Sequence, residues 1–173
     1  MLADTTIEYD ESMTEPRWLT DDERSTWLHL AAVLELLPGA LDAQLLRDDD
    51  LTHFEYFSLA SLSEEPERTL RITALAEMTN ATLPRISRVL TGLEKKGLVI
   101  RSTCKEDKRA KNVTLTEAGW AAVVQAAPRH VENVRRLVFD QLTSEQTAQL
   151  SSIAEALLGQ LDPEGRMFTS PES

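Results

Sequence analysis

Three apolar-periodic stretches of this chain open on a threonine followed three positions later by glutamate or glutamine: Thr20-Asp21-Asp22-Glu23, Thr52-His53-Phe54-Glu55 and Thr143-Ser144-Glu145-Gln146. In that spacing the hydroxyl accepts from a first-turn amide while the longer side chain reaches back, so each predicts a helix start. The first helix is expected from Thr20 to near Arg47, kinked or broken at Pro38-Gly39. The second runs to roughly Leu62 with Tyr56, Leu59 and Leu62 inward, and the last ends near Leu161. Residues 1 to 17 are polar and patternless, as in a loose arm.

The middle of the chain changes period twice. After a polar loop from Ser63 to Glu67, Leu70-Arg71-Ile72 is a short β candidate, and Thr73 is expected to cap a short helix bearing Leu75, Ala76 and Met78. A turn at Asn80-Ala81 leads to a helix from about Leu83 to Lys96, whose Ile86, Val89, Leu90 and Leu93 mark the inward face. Gly97 suits a left-handed helix end. Beyond it the period falls to about 2, so Leu98 to Thr103 and Asn112 to Thr116 read as strands flanking a charged tip, Cys104 to Lys111. Thr116 then caps a long helix past Pro128 to about Gln141. The fold class is mainly α with a small β-hairpin wing: a winged helix-turn-helix plus a helical region.

With 173 residues and 42% hydrophobic content, the chain can build a real core without covalent staples. Cys104 is its only cysteine, which rules out an intrachain disulfide and fits a reducing compartment. The acidic N-terminus does not read as a secretion signal, and no uninterrupted apolar run approaches transmembrane length, so the expectation is a cytoplasmic protein with no membrane partner. Charge changes the picture more. The net charge is -11, yet the stretch from Leu83 to Lys111 holds nine basic and three acidic residues, an excess of +6 against -17 elsewhere. An acidic body with one basic segment can present that segment to DNA and discourage adhesion elsewhere.

The inward face of the 83–96 helix fixes its outward one: Arg85, Ser87, Arg88 and Thr91 point away from the core in the half that a recognition helix sets nearest to base edges. Arginine donates two hydrogen bonds to guanine, and serine or threonine suits phosphates or either base type. Thr82 and Lys105 are placed to position phosphates. The hairpin tip lays Lys105, Arg109 and Lys111 along the backbone, with Arg109 directed into a minor groove and Asp107 bracing it.

These segments resemble the MarR-type winged-helix regulators. The most specific part is Leu93-Glu94-Lys95-Lys96-Gly97-Leu98-Val99, then Asp107-Lys108-Arg109 and Val113-Thr114-Leu115-Thr116-Glu117-Ala118-Gly119, similar to that family's recognition-helix exit, wing and return to helix. Leu51-Thr52 with Tyr56, Leu59 and Leu62 matches its second-helix pattern. The resemblance implies a homodimer whose first and last helices interlock and a pseudo-palindromic double-stranded operator. It also implies a ligand cleft for a small-molecule effector, with Trp27, His53 and Tyr56 as candidates. The expected organisation is an arm at 1–19, a dimerisation region at 20–49 and 120–162, a DNA-binding domain at 50–119 and a tail at 163–173. The expected function is a transcriptional repressor, with a protein-interaction module as the alternative; no cofactor is implied.

Plainer accounts compete at each point. Basic residues on a helix are usually a solvated face, and an exposed Asp107/Arg109 pair is worth only about 0–1 kcal/mol; the helix-turn-helix order and the wing's cations favour DNA. The stripe Leu150, Ile153, Leu157, Leu158 and Leu161 could be intrachain core, but long terminal helices around a compact middle favour a dimer interface. His29, His53 and His130 lack metal-ligand spacing, and His53 and Tyr56 could be ordinary packing. Lys105 could lower the pKa of Cys104, but peroxide-sensing relatives keep their cysteine in the first helix, where this chain has none. An enzyme finds no support in a P-loop, GxSxG, GxGxxG or metal motif.

Overall fold

The computed structural model describes residues 16–104 and 109–167. The chain divides into two compact units, Met1–Leu36 and Leu37–Ser173. The described elements are α1 (Asp21–Asp49), α2 (His53–Glu64), a 3-10 turn (Pro66–Arg68), β1 (Thr69–Arg71), α3 (Ile72–Met78), α4 (Leu83–Lys95), β2 (Val99–Thr103), β3 (Lys111–Leu115), α5 (Glu117–Leu137), a second 3-10 turn (Phe139–Gln141) and α6 (Ser144–Leu161).

Local chemistry sets most of these boundaries. Reciprocal capping boxes start α1 (Thr20 with Glu23), α2 (Thr52 with Glu55) and α6 (Thr143 with Gln146). The short third helix departs from expectation. Pairing of β1 holds Arg71 extended until the helix begins, so Arg71, with no side-chain cap, takes the place predicted for Thr73. Two helices end in Schellman motifs. The N–H groups of Asn80 and Ala81 return to the carbonyls of Glu77 and Ala76, and those of Gly97 and Leu98 to Glu94 and Leu93. Asn80 and Gly97 take the left-handed conformation this requires, at φ 46° and 74°.

α1 runs through Pro38, where the sequence predicts a kink or break. The proline removes one intrahelical bond, but the Leu- and Ala-rich turns on either side add one bond per residue once the helix is nucleated and carry it across. By length and composition α1 is also apolar enough to cross a membrane, the one such helix among the described residues. The expectation drawn from uninterrupted runs missed this because His29, Glu35, Pro38 and Asp42 break the run without removing its apolar character. α5 stops at Leu137 rather than Gln141, because Val138 leaves helical geometry; the Gln141 side-chain Nε2 then donates back to the Arg136 carbonyl at 3.0 Å.

The expected hairpin is part of a three-stranded antiparallel sheet of order β1-β3-β2. Leu70 faces Val113 and Val99 faces Leu115, and all four side chains are buried. They join Leu45, Leu51, Leu59, Leu62, Leu75, Ile86, Leu90, Leu93, Val123 and Ala126 in one core within the second unit. Gly119 lets α5 approach the residue that precedes β2: any Cβ there would collide with the Leu98 carbonyl oxygen, which also accepts from the Thr116 N–H. In contrast, α6 has no buried residue; Ile153 is 57% and Leu161 79% exposed. In the first unit, Trp18, Leu19, Leu28, Val33 and Leu34 are likewise exposed.

Candidate nucleic-acid interface

The Thr82 side chain caps α4 by accepting from the Arg85 N–H, and Pro84 stands in the first turn, where its missing donor costs nothing. Ile86, Leu90 and Leu93 are fully buried and Val89 partly so, which locks the helix about its axis. Arg85, Ser87 and Arg88 are consequently exposed. The first turns of α1, α2, α5 and α6 each carry at least one carboxylate, whereas that of α4 carries none and has an arginine instead. The positive end of the α4 dipole is left without an intrachain anion in its first turn, which favours an external one.

The side chains on that face are not equivalent. Arg88 makes no ion pair among the described residues. The Arg85 guanidinium lies over the Phe54 ring of α2, 4.1 Å from its centroid. Thr91 is half-buried and donates its hydroxyl proton to the Ser87 carbonyl at 2.9 Å, so it keeps only acceptor capacity. On the hairpin Arg109 is exposed, and Lys111 reaches across to the Thr103 hydroxyl at 2.7 Å. Lys105 and Asp107 lie outside the described residues.

Two cations counted in the basic segment serve the scaffold. Arg101 folds onto Glu94 with a 2.6 Å contact, and the hydrogen bonds from Arg101 hold the Glu94 carboxyl below its usual range. Lys96 donates to the Asp50 carbonyl at 2.6 Å and lies 3.7 Å from Glu55, fastening the end of α4 to the start of α2.

A second cluster forms at the start of α2. The His53 N–H donates to the Asp42 carboxylate at 2.8 Å, and its ring is 5.8 Å from that of His130 on α5, which in turn is 4.6 Å from Tyr56. Burial lowers both imidazole pKa values, opposed at His53 by Asp42 and reinforced at His130 by His53. The Tyr56 phenol is raised, chiefly by burial. Nδ1 of His130 is buried without a hydrogen-bond partner. Trp27, the third candidate for a ligand cleft, belongs to the first unit and is 53% exposed.

The model of the MarR family matches residues 51–111. Sco3205, a MarR family transcriptional regulator from Streptomyces coelicolor whose structure was solved in complex with DNA, is 40% identical. The match covers 89% of this chain and 96% of that one with a TM-score of 0.83. The chain belongs to the MarR family. AbsC, another MarR family transcriptional regulator from Streptomyces coelicolor, is 36% identical over 83% of this chain and 99% of its own, with a TM-score of 0.76. MepR from S. aureus, solved as a DNA complex, is 26% identical over 78% and 96%, with a TM-score of 0.69.

In this MarR family chain, Arg85, Ser87 and Arg88 share one exposed face, with Thr82 at its N-terminal edge and Thr91 partly withdrawn. His53 and Tyr56 come together, but around His130, which is 77 residues from His53 and carries no local signal of the pairing. Phe54 was equally invisible as a partner for Arg85. Cys104 is buried, its N–H bonded to the Ala110 carbonyl at 3.0 Å, so the thiol is not the accessible group that Lys105 as a neighbour suggested.

Proposed function

We propose that this MarR family chain is a repressor that binds a pseudo-palindromic operator as a homodimer, in the cytoplasm, and is released by a small molecule. Arg85, Ser87, Arg88 and Thr91 read the major groove, Arg109 enters the minor groove, Thr82 and Lys105 hold phosphates, Asp107 braces Arg109, and Lys111 follows the backbone. The observation that carries this proposal is the first turn of α4, free of carboxylates and flanked by exposed Arg85 and Arg88. Sco3205, solved with DNA, supports it at 40% identity.

A second copy is assigned to the apolar surface of α6 and of α1, giving a dimerisation region at 20–49 and 120–162 around a DNA-binding domain at 50–119. The proposed organisation also has an arm at 1–19 and a tail at 163–173. Unburied leucines on α6 support this over an α1 that crosses a membrane, because α6 needs a cover too. His53 and Tyr56, with His130, offer stacking surface and an unpartnered ring nitrogen to an effector, and Trp27 is kept as a separate candidate for effector binding.

Selection of bound fragments from the source genome with purified protein, repeated with a metabolite panel, tests the proposal. The expected result is one two-fold-symmetric motif whose affinity falls by about 1–3 kcal/mol in each of Arg85→Ala and Arg109→Ala. Unchanged affinity in both variants, or failure to bind any duplex at low salt, would overturn it.

A further inference from the structure

The start of α2 faces two ways. His53 and Tyr56 meet His130 on α5, while Phe54 and Glu55 meet α4: the Phe54 ring lies under the Arg85 guanidinium at 4.1 Å, and the Glu55 carboxylate is 3.7 Å from Lys96. Phe54 is itself well fixed. It is partly buried against the central core, and its carbonyl accepts the Ser58 hydroxyl at 2.8 Å within a helix whose capping box is complete. Arg85, on the other hand, is exposed and sits in the first turn of α4, where the helix dipole repels a cation. A long side chain in that position would sample many rotamers, and ordering it on DNA would cost entropy.

We propose that Phe54 is a positioning residue for DNA reading. Its ring face attracts the guanidinium and holds it as a planar fork beside the α4 N-terminus, so that part of the ordering is complete before the duplex arrives. The stack leaves the guanidinium's edge N–H groups available, and those are the groups that pair with guanine O6 and N7. Phe54 touches no base; it acts through Arg85, and so depends on the proposed major-groove role of that arginine. Leucine at position 54 would fill much of the same apolar space but offers no ring face, whereas tryptophan offers a stronger one.

The test uses full-length protein and a duplex selected from a random library by the wild type, with single-base-pair variants of that duplex. Affinities are measured for wild type, Phe54→Leu, Phe54→Trp, Arg85→Ala and Phe54→Leu/Arg85→Ala, with thermal midpoints alongside. Phe54→Leu is expected to weaken binding about two- to fivefold, to lose discrimination at the base pair where Arg85→Ala loses it, and to have no further effect once Arg85 is gone. Phe54→Trp is expected to restore binding. A Phe54→Leu loss that persists in full in the Arg85→Ala background means a structural role and overturns the proposal; so does tighter binding by Phe54→Leu, which would mean that the ring holds the arginine away from DNA. If Arg85→Ala costs affinity but Phe54→Leu does not, only the positioning role falls. If Arg85→Ala is neutral at every base pair, the DNA role of Arg85 falls with it.

Discussion

α4 and α6 carry similar leucine-rich stripes and meet opposite fates. Ile86, Leu90 and Leu93 of α4 are fully buried by the sheet and neighbouring helices, whereas Leu150, Ile153, Leu157, Leu158 and Leu161 of α6 remain 42–79% exposed. Periodicity states that a helix has an apolar face; it does not state whose surface covers that face. In α4 the chain supplies the cover, and the opposite, polar face becomes available for another partner. In α6 the chain leaves the apolar face uncovered, and a second copy is the proposed cover.

Substitutions in each stripe, and on the polar face opposite the buried one, separate the two cases. The largest expected effect is Leu157→Asp: sedimentation velocity at micromolar concentration should show a monomer or an unfolded chain where the wild type is expected to be a dimer. An unaltered dimer would move the interface away from α6. Leu90→Ala should cost about 2–5 kcal/mol in chemical denaturation, from lost burial plus a cavity, while leaving dimer dissociation unchanged in the folded fraction. On the polar face, Arg88→Ala should lower operator affinity by about 1–3 kcal/mol with little change in thermal midpoint, since Arg88 makes no ion pair among the described residues.

The smallest effect concerns acidity. His53 and His130 have lowered pKa values in the folded state, so as pH falls below 6.5 the unfolded chain takes up protons first and stability declines. The lowered carboxyl groups, such as Glu94 with its ordinary value of 4.5, act only at lower pH, leaving the interval between as the histidine window. Thermal midpoints should fall from pH 7 to 5, and His130→Phe should flatten that slope. A slope unchanged in His130→Phe would remove the cluster from the account.

What was legible in the sequence was local. Thr52, Thr116 and Thr143 cap the helices they precede, Gly97 turns left-handed, and the change of period after it marks the strands, because each depends on neighbours within a few residues. The break allowed for at Pro38 does not occur, for the complementary reason: one local defect is outweighed by the cooperative helix around it. The sequence could not place His130 beside His53, or Phe54 beneath Arg85, since these meetings depend on how whole helices pack. Nor could charge counting separate Arg88, turned outward, from Arg101, folded onto Glu94.

On the proposed reading, two copies of α4 present their N-terminal halves to one duplex. Hydroxyl-radical footprinting of the selected operator tests it most directly. Two symmetric protected tracts with centres about 10–10.5 base pairs apart, or a multiple of that, are the predicted result, with both fading together in Arg88→Ala. A single unpaired tract, or a paired footprint that Arg88→Ala leaves intact, would contradict it.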